Sequence, residues 1–175
     1  MKLRHLFFAC SGVFVMMFSL LLLVVIVFSD EEDGGSGGNL IFGGVSVSQE
    51  VLAHKPMLEK YAREYGIEEY LNVLLAIIQV ESGGTLEDVM QSSESLGLPP
   101  NSLSTEESIK QGCKYFSELL AAAETKGCDL NSVIQSYNYG GGFLDYVAGR
   151  GKKYTFELAE SFARDKSGGK KVTYT

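Results

Sequence analysis

The sequence is 175 residues long, carries a formal net charge of −7 and is 45% hydrophobic. That acidity argues against a nucleic-acid partner, because phosphate recognition calls for a basic surface. Two histidines and three cysteines, scattered along the chain, form no metal-ligand cluster, and no cofactor is implied.

Leu6 to Phe28 contains no charged residue and is dominated by Leu, Val, Phe and Met. As a helix it is roughly 34 Å long, enough to cross a hydrocarbon core of ~30 Å. Lys2, Arg4 and His5 precede it and Asp30, Glu31, Glu32 and Asp33 follow it. The positive-inside rule therefore leaves residues 1–5 in the cytoplasm and turns the remainder outward. The run is longer than a signal-peptide core, and Phe28-Ser29-Asp30 is a poor cleavage context, so an uncleaved anchor over 6–28 is expected. Cys10, near the start of the run, does not suit lipid attachment at a processed cysteine.

Residues 29–47 read as a flexible tether, since acid and glycine cannot build a core. Its root-mean-square span is about 24 Å, which holds the rest of the chain close to the outer membrane surface. From Ser48 onward there remain enough residues for one compact domain. Ser48 can cap a first helical piece, and Pro56 suits the first turn of a second. Met57, Leu58, Tyr61 and Tyr65 recur at helical spacing until Gly66 stops the run. Tyr70 to Val80, apolar almost all round, marks a buried central helix.

Ser82 to Leu103 is a loop rich in Ser, Gly and Pro. Ser104-Thr-Glu-Glu107 forms a capping box for a helix from Thr105 to about Glu124. Asp129 caps the next, which turns Leu130, Val133, Ile134 and Tyr137 inward before Gly140-Gly141-Gly142 breaks it. Phe143 to Ala148 resumes, and a last helix follows Thr155 to about Lys166. The domain is therefore predicted to be all-α, with little or no sheet. Cys113 fits the buried side of its helix, and its separation from Cys128 favours two free thiols. His54 stands alone and reads as structural. The basic C-terminal end, Arg150 to Lys171, could meet anionic wall polymers or lipid headgroups, or simply be solvated.

The chemistry points to Gln79-Val-Glu81-Ser-Gly-Gly84. A carboxylate ends an apolar helix at its negative dipole end, and burial and dipole both disfavour its charged form. An acid still protonated near neutral pH is what a glycosidase needs to protonate a leaving oxygen. Two more stretches accompany it: Asp88-Val-Met-Gln91-Ser-Ser-Glu94-Ser and Gln135-Ser-Tyr137-Asn138-Tyr-Gly140-Gly. In this order the three motifs resemble the lysozyme-like superfamily of goose-type lysozymes and soluble lytic transglycosylases. The chain is most similar there to the lysozyme-like domain of membrane-anchored cell-wall hydrolases from Gram-positive conjugative elements. The resemblance covers roughly Val51 to Thr173.

That resemblance implies a lysozyme-like catalytic domain over 48–175 with Glu81 as general acid. It implies Ser82, Gln91 and Ser92 along the sugar cleft, and Tyr137, Asn138 and Tyr139 beside the acid; core packing for Tyr137 and a helix stop for Asn138 stay open. Tyr139 stands where the transglycosylases have alanine. A hydrolase that inverts needs a second carboxyl with a water between. Asp88 is the first candidate, with Glu87 and Glu94 behind it; a transglycosylase needs none. The resemblance favours a muramidase acting on peptidoglycan strands and opening the wall for a conjugative, type IV secretion apparatus at the cell membrane. Lytic transglycosylase and an inactive wall-binding protein are the alternatives. Relatives often add a cysteine-peptidase domain; here no peptidase Cys-His pairing is available, so either one activity or a fragment is expected.

Overall fold

The computed structural model describes residues 40–42 and 45–167, and the side chains of 46–167. The expected anchor at 6–28 and the basic end beyond 167 lie outside the described residues. Among the described residues no helix is long and apolar enough to cross a membrane.

The described chain begins with a two-stranded antiparallel hairpin, β1 (Leu40–Phe42) and β2 (Val45–Val47), in which Ile41 faces Ser46. The sequence reading carried a flexible tether through residue 47. The structure instead seats Val47 in the core with no exposure and packs β2 on the central helix. Leu-Ile-Phe and Val-Ser-Val separated by Gly-Gly is a hairpin signal in its own right, and the glycine content of the preceding stretch masks it.

The helices follow in the expected order. Ser48 caps α1 (Gln49–Ala53) by accepting the Val51 N–H at 3.3 Å, and His54 joins it to α2 (Lys55–Glu64), which carries proline in its first turn. A short 3-10 turn, Glu68–Tyr70, leads into α3 (Leu71–Glu81). Leu74, Leu75, Ala76, Ile77 and Ile78 of α3 are wholly inaccessible. Each large aliphatic side chain so buried contributes roughly 1.5–3 kcal/mol, which makes α3 the axis of the core.

The long loop after α3 contains one 3-10 turn, Ser93–Leu96. The capping box at Ser104 then opens α4 (Thr105–Lys126), and Gly127 in the left-handed region closes it. Asp129 caps α5 (Leu130–Tyr139) through its carboxylate, which accepts Ser132 N–H at 3.0 Å. Next come α6 (Gly142–Ala148) and α7 (Phe156–Lys166), the latter capped by Thr155. The α2 and α1 helices and the hairpin pack on α3, α4 packs on α2 and α5, and all share one core, while Phe143, Val147, Ala159 and Phe162 form a second cluster between α6 and α7. Cys113 is buried, Cys128 is partly buried, and both are free thiols.

Candidate active site

Three elements supply the site: the C-terminal end of α3, the loop that follows it, and the last turn of α5. Glu81 is the final residue of α3 and is partly buried. Burial is the main cause that pushes its carboxyl up to about 8; the like charge of Glu94 adds to it, and that of Asp88 adds less. A free glutamate is fully ionised at neutral pH, whereas this one holds its proton there.

Tyr137 rises from α5 across the core, and its hydroxyl donates to the Met90 carbonyl at 3.0 Å. Burial holds its phenol well above the usual range, and Glu81 is the charge that acts on it most. Gly112 of α4 makes this packing possible. A β-carbon there would lie 2.5 Å from Met90 Sδ and 2.9 Å from Tyr137 Oη.

A cleft of about 280 Å³ opens at this point, lined by Gln91, Ser92, Glu94, Ser95, Tyr115 and Tyr137 to Gly140. Of the residues singled out from sequence, Gln91, Ser92, Tyr137, Asn138 and Tyr139 are brought together here with Glu94, whose charge acts on Glu81. Gln91 holds an uncommon left-handed φ of 47°. Its Nε2 donates to the Asp88 carbonyl and to Asn101 Oδ1, both at 2.7 Å, so only its Oε1 remains without a protein donor. Tyr139 stacks on Phe162 and meets Phe143 edge-on, which ties the cleft wall to the second cluster.

Asp88 and Ser82 turn away from the cleft. Asp88 has no exposure. Its Oδ1 accepts Ser92 N–H at 3.0 Å and Ser108 Oγ–H at 2.6 Å, and its Oδ2 accepts Ser93 N–H at 3.2 Å. Both oxygens are spent in folding the loop against α4, and no face is left for an attacking water. Ser82 staples its own turn: its hydroxyl donates to the Val89 carbonyl at 2.7 Å and accepts Gly84 N–H at 3.0 Å. Ser92 lines the cleft, but its hydroxyl donates to the Ser108 carbonyl at 2.9 Å.

Glu94, ranked behind Asp88 on sequence, is the carboxylate that the cleft does expose. Tyr115 was missed altogether. Its ring lies 5.5 Å from that of Tyr137, and a tyrosine on a long amphipathic helix carries no signal of that placement. A larger groove of about 490 Å³ runs between Tyr65, Tyr70, Leu120 and Val133. It holds no residue of the three motifs.

The lysozyme-like family model matches residues 48–175. The bifunctional muramidase/DL-endopeptidase CwlT of Bacillus subtilis (strain 168) is 45% identical over 121 residues, which is 69% of this chain and 36% of that protein. A pneumococcal vaccine antigen A homolog of Streptococcus pyogenes is 39% identical over 117 residues, 66% of this chain and 59% of that one. Among solved structures, a protein described as similar to a lipoprotein of the NLP/P60 family, from Staphylococcus aureus, is 74% identical with a TM-score of 0.73. That match covers 75% of this chain and 44% of the other. The matched region thus spans less than two thirds of the length of each of these relatives.

Proposed function

The chain belongs to the lysozyme-like family, and on that footing we propose that it is a peptidoglycan muramidase, hydrolysing the β-1,4 bond between N-acetylmuramic acid and N-acetylglucosamine. The observation that carries the reading is the carboxyl of Glu81, pushed up to about 8 by burial and by the like charge of Glu94, itself a residue of the cleft walled by amide and tyrosine side chains. Glu81 delivers its proton to the glycosidic oxygen as the bond to the muramic C1 breaks. The Tyr139 ring, partly exposed in the cleft wall, offers the sugar a stacking face.

A water must then add to C1 and lose a proton. The burial of Asp88 makes it a positioning residue, holding the loop that carries Gln91 and Glu94, while Glu94 is the carboxylate open to solvent that can take that proton. A transglycosylase closes a 1,6-anhydro ring with the sugar's own hydroxyl and needs no such base. The buried Asp88 is the one observation that favours this second reading.

Purified peptidoglycan digested by the protein and analysed by mass spectrometry separates the two. Reducing muramic ends support hydrolysis, and 1,6-anhydromuramic ends establish the transglycosylase instead. Loss of all products in Glu81→Gln, with the fold retained, supports the acid role. An unchanged product yield in that variant removes the acid role, whereas a wild type that releases no products at all is a wall-binding protein. We further propose single-pass anchorage through residues 6–28 with the domain facing the wall, and local wall opening for a conjugative apparatus. Both proposals rest on the charge pattern around 6–28 and on the resemblance of the motifs.

A further inference from the structure

We propose that His54 is a positioning residue for the reaction: with Ser48 it clamps the Ser82–Gly84 turn onto α1 and so fixes how deeply Glu81 is held. This inference rests on the acid role proposed for Glu81.

The turn after α3 is stapled from within by Ser82, through Val89 and the Gly84 N–H, but its glycines leave it pliant. Gly83 and Gly84 both hold left-handed backbone, with φ of 61° and 76°, and glycine visits other regions at little cost. A second set of restraints comes from the incoming segment. The Ser48 N–H donates to Gln79 Oε1 at 2.7 Å, two residues before Glu81. The Ser48 hydroxyl donates to the Gly83 carbonyl at 3.4 Å, and His54 Nε2 lies 2.9 Å from the Gly84 carbonyl. A carbonyl only accepts, so Nε2 carries the proton in this contact, in the neutral ring and in the charged one alike.

Backbone touches backbone as well. A β-carbon on Gly84 would stand 2.7 Å from Val51 N and 2.8 Å from Glu50 C. The clamp is itself anchored, because Val47 and Val51, on either side of Ser48, have no exposure. Three polar contacts and one close approach therefore grip the chain on both sides of Glu81, all from residues 48–54. The like charges of Glu94 and Asp88 act on Glu81 as well. A turn released from α1 lets the carboxylate swing towards water, and a displacement of about 1 Å at a reacting group can cost ~100-fold in rate.

The test uses the full chain with His54→Ala and His54→Gln, and Glu81→Gln as control, assayed for peptidoglycan solubilisation between pH 5 and 10. H54A should lower kcat at neutral pH by roughly tenfold to a hundredfold, with KM little changed. Its alkaline limb should move to lower pH as Glu81 becomes better hydrated. The amide nitrogen of glutamine can reach the same carbonyl, so H54Q should restore both rate and limb. If H54A does not fold, Gln79→Ala, which removes the acceptor for Ser48, should give the same limb shift. A wild-type limb in H54A with only a lower melting temperature overturns the proposal, and so does an H54Q no better than H54A. Activity retained in E81Q would overturn it by a different route, by removing the acid role. With E81Q inactive, failure of the histidine variants sinks the clamp alone.

Discussion

Glu81→Gln should make the protein more stable as well as inactive, and the gain should depend on pH. In the unfolded chain the carboxyl ionises near 4.5, while in the folded protein it holds its proton to about 8. Between those values the folded state binds more protons than the unfolded one, so rising pH favours unfolding. The stability associated with protonated Glu81 is fully present below about pH 4.5, drains away as pH rises and is gone above about 8. The gap of roughly 3.5 pH units, at about 1.4 kcal/mol each, bounds the loss at around 5 kcal/mol. Glu81 is only partly buried, and solvent screening reduces the figure to about 2 kcal/mol.

Glutamine has the shape of the protonated acid and never ionises. Thermal melts of the two proteins should coincide near pH 4.5 and diverge progressively, until the variant melts roughly 5–10 °C higher at pH 9. Lytic activity of the wild type follows the folded-state protonation alone, so it should hold to about pH 7 and fall as pH passes about 8. Parallel melting curves for the two proteins across pH 4.5–9 would show that Glu81 is an ordinary solvated helix terminus, and the acid assignment would lose its physical basis.

Three other substitutions test the surroundings. Glu94→Gln should cut activity at least tenfold if the open carboxylate accepts the proton of the attacking water. It should also lower the alkaline limb, because a like charge beside Glu81 is gone; a full pH–rate profile reads both. Asp88→Asn leaves donors on Ser92, Ser93 and Ser108 without the carboxylate they share. It should cost about 2–4 kcal/mol, seen as a lower denaturation midpoint, and activity should fall with the loop. That is opposite in sign to the stability change in Glu81→Gln. Gly112→Ala forces Met90 and Tyr137 aside and should destabilise by about 1–3 kcal/mol, with near-ultraviolet circular dichroism reporting the displaced tyrosine.

Most helix boundaries were legible because they are written in local chemistry. Ser48, the Ser104–Glu107 box, Asp129 and Thr155 each cap the helix they precede, and each needs only residues three or four positions away. The acid at the end of α3 was legible for the same reason, since eleven residues of apolar helix announce burial without reference to the rest of the fold. What stayed hidden depends on partners far along the chain. Ser108 meets Asp88 across twenty positions, and His54 meets Gly84 across thirty. Gly112 looks like a weak point in a helix until Met90 and Tyr137 occupy the space above it.

The carboxylates show why spacing could not finish the assignment. Glu81, Asp88 and Glu94 fall within one short stretch, and in a loop without a repeating period nothing in their separation says which way each side chain turns. Surroundings divide the labour instead. Asp88 is solvated by three donors of the protein and becomes a knot in the loop. Glu94 is solvated by water at the mouth of the cleft. Glu81, raised by burial and by like charge with no hydrogen bond contributing, cannot comfortably ionise. A proton that is costly to lose in the resting protein is readily held until a better acceptor, the bridging oxygen of a strained sugar, is brought within reach. The fold that buries Asp88 is thus what keeps Glu94 outward and Glu81 unsatisfied, so one loop conformation sets all three roles at once.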